Sequence, residues 1–211
     1  MQLRLESTLT FEEYVTSRGW EQATLAACPL CPPGTCHLQG LGTYRRKVPE
    51  EAYVARYYCP EQHTTFGLLP DFYASRVPGT LDDIERTAAQ VEASSGLERA
   101  AERVRPGDAP GAVTLSVAVA WVRRRVTWVR ALLVTVAGLF PELFAGVKPS
   151  LGVFRRRLGT SRVLVALRGI CAPYLYALPP PLGLNPRTPW GLLREDGRQQ
   201  SIGPAPPLGR R

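Results

Sequence analysis

Two cysteines two residues apart, Cys28-Pro-Leu-Cys31, and a second short element, Cys59-Pro-Glu-Gln-His63, set 27 residues further on (Pro32 to Tyr58), constrain this chain more than any other pattern in it. Tetrahedral metal coordination gathers four soft or borderline donors as two close pairs, and C-x2-C followed by C-x3-H supplies them. The spacing is that of a zinc ribbon. It predicts zinc as the cofactor, with Cys28, Cys31, Cys59 and His63 as a closed structural ligand set that leaves no position open for water. Within the first knuckle an alternative stands, because Cys36 follows Cys31 by five residues and closes the pair with Cys28 if Cys31 does not. The tight pair is favoured, since a knuckle turn aims backbone N–H groups at the thiolates and Pro32-Pro33-Gly34 reads as a loop leaving the site. His37 reads as a polar loop residue and Cys171, in an apolar stretch, as core.

The competing reading of the cysteines is disulfide pairing. The opening Met-Gln-Leu-Arg-Leu-Glu carries no apolar secretory stretch, and five cysteines is an odd count, so a reducing, cytoplasmic setting with metal-bound thiolates is expected instead.

Between the two knuckles, Gly42 to Val48 and Tyr53 to Cys59 are rich in aromatic and β-branched residues and are separated by Pro49-Glu-Glu-Ala52. They predict a β-hairpin. Alternation puts Tyr44, Arg46 and Val48 on one face and Thr43, Arg45 and Lys47 on the other, so cations stand on both. Two strands alone are marginal in water, and a bound metal supplies the missing stability.

Cys28-Pro-Leu-Cys31, Gly42-Thr-Tyr-Arg45, Arg56-Tyr-Tyr-Cys-Pro60 and Thr64-Thr-Phe-Gly-Leu-Leu-Pro-Asp71 together resemble the zinc-ribbon segment at the front of bacterial insertion-sequence transposases and of related uncharacterised bacterial proteins. The resemblance covers roughly residues 25 to 75 and carries over to Cys28, Cys31 and Cys59. In the commoner form of that family the second knuckle is C-x2-C, where this chain has Gln62 with His63 beside it; His63 is assigned from its chemistry alone. What the resemblance implies is nucleic-acid handling associated with mobile elements.

It does not imply a transposase. Such enzymes hold two metal ions with three carboxylates spread through a large domain. After Asp108 the acidic residues of this chain are Glu142, Glu195 and Asp196, and the earlier ones cluster on amphipathic segments such as Leu81 to Glu92, where they read as a solvated helix face. Both histidines lie close to cysteines, so no Ser/His/Asp or Cys/His catalytic set is expected, and no Gly-rich phosphate loop is present. The chain is read as a non-enzyme with no small-molecule substrate.

Charge is divided unevenly. Residues 1–108 carry 11 Lys/Arg and 15 Asp/Glu, whereas residues 109–211 carry 15 and 3. That asymmetry points the second half at a polyanion, and DNA is the expected partner. The candidate contacts are Arg45, Arg46, Lys47 and Arg56 on the hairpin, and Arg123, Arg124, Arg125 and Arg130 in Trp121-Val-Arg-Arg-Arg-Val-Thr-Trp-Val-Arg130. On a helix Trp121, Arg125 and Trp128 share a face, so two readings stand: a tryptophan-anchored core helix with a solvated arginine face, or the second helix of a helix-turn-helix that begins at Leu97 to Val104. The connection 105–113 is longer than the usual turn of that motif. A protein-interaction scaffold serving a separate catalytic subunit, a second copy of the chain as partner, and a partial transposase remnant are the alternatives in function.

The predicted fold class is α+β: an N-terminal strand and helix (1–24), the zinc ribbon (25–75), a mainly helical region (80–177) and a Pro/Gly-rich, flexible basic tail (178–211). Thr10-Phe-Glu-Glu13 and Thr80-Leu-Asp-Asp83 predict helix starts. Leu81, Ile84, Ala88 and Val91 predict one buried helix face, and a long apolar and basic pattern runs from Thr114 to a stop at Pro141. Its cleanest apolar run, Ala131 to Phe140, is too short for a membrane span.

Overall fold

Strand-forming residues concentrate in four short segments, and in the computed structural model, which describes residues 1–49, 51–104 and 114–186, these segments build one mixed sheet. Strands β1 (Gln2–Leu5), β2 (Gln39–Arg45), β3 (Tyr53–Cys59) and β4 (Thr64–Pro70) lie in the order β1-β4-β3-β2. β2 and β3 are antiparallel, with Gln39 opposite Tyr58 and Arg45 opposite Tyr53; β3 and β4 are antiparallel, and β1 runs parallel to β4 with Leu3 opposite Leu68. The expected hairpin is therefore the outer half of a larger sheet. The sequence reading misses β4 because its run Phe66 to Pro70 is buried on both faces and does not alternate. Leu69 and Val54 face the main core, while Leu68 and Ala55 face a smaller cluster with Ala23, Leu3, Leu25 and Tyr57.

The helices are α1 (Phe11–Thr16), α2 (Gly19–Gln22), α3 (Leu81–Glu92), α4 (Leu97–Val104), α5 (Leu115–Leu139), α6 (Pro141–Phe144), α7 (Leu151–Leu158) and α8 (Val163–Ile170); α1, α3, α4 and α5 lie where the sequence signals place them, whereas α2 and α6 are not expected from those signals. Thr10 and Glu13 form a reciprocal capping box, and the Thr80 hydroxyl accepts from the Asp83 N–H at 3.1 Å. Leu81, Ile84 and Ala88 are buried as the period predicts, and Pro141 ends α5 by opening α6 at its first position. One apolar cluster joins Val54 and Leu69 of the sheet to Ile84, Val122, Leu132, Phe154 and Leu167 of the helices, so sheet and helices share a core.

The acidic face of α3 is solvated only in part, because three of its carboxylates are also engaged by the helices that follow. Glu85 is 4% exposed; it accepts from the Leu164 N–H at the start of α8 at 2.9 Å and pairs with Arg155 at 3.1 Å. Glu92 accepts from the Leu151 and Gly152 N–H groups at the start of α7, and Asp82 makes a two-point bond with Arg162. Helix starts carry unpaired N–H groups and a partial positive charge, and α3 meets two of them with carboxylates.

The chain also stays packed beyond Leu178, where composition predicts the tail begins. Leu178, Leu182 and Leu184 are buried, and Asn185 exchanges hydrogen bonds with Gln2, whose N–H reaches the Asn185 carbonyl at 3.0 Å. The rest of the predicted tail, 187–211, lies outside the described residues. The segment 178–186 is held by Arg168, fully buried, which donates to the carbonyls of Pro70, Asp71 and Tyr73 on one side and of Pro181 and Leu182 on the other. Burial lowers its guanidinium to about 9, opposed by the charge of Asp71, so it stays a cation at neutral pH. Losing it strands several buried acceptors, each of which costs about 1–3 kcal/mol when left unpaired. Arg168→Leu is expected to lower unfolding free energy by about 3 kcal/mol or more in urea titrations, while Arg86→Leu at an exposed position stays within about 0.5 kcal/mol.

Candidate metal centre and basic surface

The Sγ atoms of Cys28, Cys31, Cys36 and Cys59 all lie within 4.8 Å of one another. Three of the predicted ligands are thus brought together, and the fourth place is taken by Cys36. The sheet register explains its arrival: Gln39 at the start of β2 pairs with Tyr58, so Cys36, three residues upstream, comes in beside Cys59 at the end of β3. The Pro32-Pro33-Gly34 segment turns back toward the site instead of leaving it. Thr35 closes the turn, its N–H and hydroxyl both donating to the Pro32 carbonyl at 3.1 and 2.7 Å, and Gly34 supplies the left-handed backbone at φ 77°.

His63 goes elsewhere. It sits exposed in the turn between β3 and β4 with φ 44°, and its Nδ1 lies 3.2 Å from the Tyr58 hydroxyl. Tyr58 precedes Cys59 on the strand and so projects from the opposite face, which draws His63 away from the sulfurs. The signal for Cys36 was present in the sequence, in a turn-forming Pro-Pro-Gly between two cysteines.

The donor set fits a tetrahedral, thiolate-bound metal ion. A metal–sulfur distance of about 2.3 Å implies a sulfur–sulfur edge of about 3.8 Å, and Cys31 and Cys59 stand 3.6 Å apart. Cys59 is fully buried and the other three are half-buried. The Gln62 N–H points at the Cys59 sulfur at 3.4 Å, as a knuckle requires. Burial opposes ionisation of Cys28, yet the N–H groups of Leu30 and Cys31 and the neighbouring thiols carry it below the usual thiol range. Cys31 is pushed up to about 11 and Cys36 is also raised, by burial first and by the crowding of thiols second. Four sulfurs this close share one negative charge poorly, and a divalent cation relieves that conflict.

The predicted basic contacts divide into two groups. Lys47, Arg123, Arg124 and Arg130 are exposed, as is Arg45. Arg46 is turned inward: it donates to the carbonyls of Ala74 and Val77 at 3.0 and 3.2 Å, and its guanidinium lies 4.7 Å over the Tyr73 ring. Arg125 is 5% exposed, stacks at 3.5 Å on the Trp121 ring and approaches Gly79, with burial lowering it to about 10. Arg56 is half-buried, its Nε enclosed without a hydrogen-bond partner. Helix α4 lies against both α3 and α5; the tight connection is the four-residue Ala93–Gly96 turn between α3 and α4, and the α4–α5 connection lies outside the described residues.

Compared with known proteins, the chain matches no family model, no curated protein and no solved structure. Among the described residues no helix is long and apolar enough to cross a membrane.

Metal content of the purified chain, measured by mass spectrometry and a chromogenic chelator, checks the ligand set. Cys28→Ser, Cys31→Ser, Cys36→Ser and Cys59→Ser are each expected to lose most bound metal, while His63→Ala keeps it. A His63→Ala chain without metal, or a Cys36→Ser chain that retains it fully, contradicts this geometry.

Proposed function

We propose that this chain is a zinc-stabilised DNA-binding protein without a catalytic core of its own, a mobile-element-derived or regulatory protein in line with the resemblance of residues 25–75 to transposase zinc ribbons. The observation that carries the reading is the set of exposed arginines on α5. Arg123, Arg124 and Arg130 make no ion pair with a carboxylate among the described residues, in a chain whose buried or half-buried acids are almost all matched to arginines or helix starts. Unmatched guanidiniums on a rigid helix suit phosphate, which they bind with charge-assisted, two-point bonds.

Zinc held by Cys28, Cys31, Cys36 and Cys59 would supply the binding energy that fixes two loops to the end of the β2–β3 pair. The sheet then shares a firm core with α5, and Lys47 and Arg45, exposed on the hairpin, add a second cationic element. Arg46 and Arg125 are turned inward and Arg56 is half-buried, so none of the three is assigned to phosphate.

The carboxylates also bear on catalysis. Asp71, Asp82, Glu85 and Glu92 each hold an arginine or a helix start, which leaves no converging acidic set among them to bind catalytic metal ions.

Affinity for a short labelled duplex, followed by fluorescence anisotropy, is expected to fall on the order of 100-fold between about 50 and 200 mM salt, as the release of roughly four counterions requires. A flat response, or no binding by the zinc-loaded chain, defeats the DNA reading and favours a protein partner.

A further inference from the structure

The turn between α3 and α4 and the face of α5 opposite it enclose a groove of about 430 Å³. Arg123, Thr127 and Arg130, at i, i+4 and i+7 along α5, form one wall, and Ser94, Ser95 and Gly96 form the other. No carboxylate lines it. Two further guanidiniums approach from α4: Arg103 donates to the Ser94 hydroxyl at 3.5 Å and Arg99 to the Ser95 hydroxyl at 3.0 Å. The hydroxyl hydrogens of Ser94 and Thr127 are already given to the Gln90 and Arg123 carbonyls at 2.6 and 2.9 Å, whereas Ser95 only accepts in its bond with Arg99 and keeps a hydrogen to donate. Glu98 faces the adjoining hollow beside Arg99 and Arg123. The hollow continues along α5 toward Ser116 in two parts, one past Arg124 without a carboxylate and one that Glu98 also lines, with Arg123 common to each. Arg123 and Arg130 line the groove with Arg99 and Arg103 bonded to its serine wall, a gathering of like charge that an anion relieves, and the run of linked hollows along α5 suits a chain of anions better than a single one.

We infer that this groove seats the phosphodiester backbone of DNA, with a phosphate held between Arg123 and Arg130 and by the Ser95 hydroxyl, and the strand continuing along α5 past Arg124. The inference rests on the DNA-binding reading and assigns its principal contact to α5 and the α3–α4 turn. Phosphate contacts of this kind position the duplex without choosing its sequence.

The test is a salt titration of duplex binding by the zinc-loaded full chain, by an R123Q/R130Q double variant and by an R156Q/R157Q double variant, which removes the same formal charge from exposed positions on α7. Glutamine is a good helix former, and circular dichroism and metal content equal to the parent establish that the variants fold. For R123Q/R130Q the slope of log affinity against log salt is expected to become shallower by about 1.8, with affinity reduced some tens-fold at about 0.1 M salt. For R156Q/R157Q the slope stays at the parent value. If the parent binds DNA and R123Q/R130Q keeps its slope, or if both pairs fall equally, the groove assignment is overturned while DNA binding stands. If the parent binds anionic phospholipid vesicles and not the duplex, both fall together.

Discussion

A buried stretch of chain outside helix and sheet can persist only if its backbone groups find donors and acceptors, and the segment from Asp71 to Thr80 that joins β4 to α3 meets that demand with arginine side chains. It is almost entirely buried. Its carbonyls at Asp71 and Tyr73 are taken by Arg168 from α8, those at Ala74 and Val77 by Arg46 from the hairpin, and Asp71 receives a two-point bond from Arg4 of β1. At its far end Gly79 lies against Arg125 of α5, and Thr80 caps α3. The sheet, the hairpin and three helices are all tied to this one connection, so the relative placement of the cysteine cluster and α5 is set by polar bonds in a dry interior as much as by apolar packing.

That arrangement gives the arginines two distinct trades. Formal net charge is +8, which by itself suggests a broadly cationic surface. Arg46 and Arg168 donate to backbone carbonyls inside, Arg125 is buried against the Trp121 ring, and Arg4, Arg155 and Arg162 neutralise Asp71, Glu85 and Asp82. A count of basic residues therefore overstates how many guanidiniums are free to meet a polyanion, since several are committed to the interior or to carboxylates.

Much of this was legible in the residues. The caps at Thr10 and Thr80, the buried face of α3, the hairpin strands and the stop at Pro141 follow from local rules that need no partner, and three of the four clustered cysteines were marked by spacing alone. What escaped needed long-range knowledge. Cys36 joins because the β2–β3 register delivers it, His63 leaves because Tyr58 points the other way, and β4 hides its strand character by being covered on both faces. The acids of α3 looked solvated because a sequence does not reveal that the starts of α7 and α8 will be placed against them. Arg125 and Arg46, counted by composition among surface cations, are distinguished only once their aromatic partners Trp121 and Tyr73 are in position.

The bonds between Gln2 and Asn185, together with the parallel pairing of β1 with β4, bring residues from the two extremes of the described chain into one layer. Such a closure is entropically late, because the ends of a very long loop must meet before either gains from the contact. During synthesis all four strands and the cysteines would emerge, able to capture metal, well before the segment around Asn185 that closes over β1 is made. Assembly of this protein is thus expected to be two-phased, with an early metal-dependent nucleus waiting on a final strap.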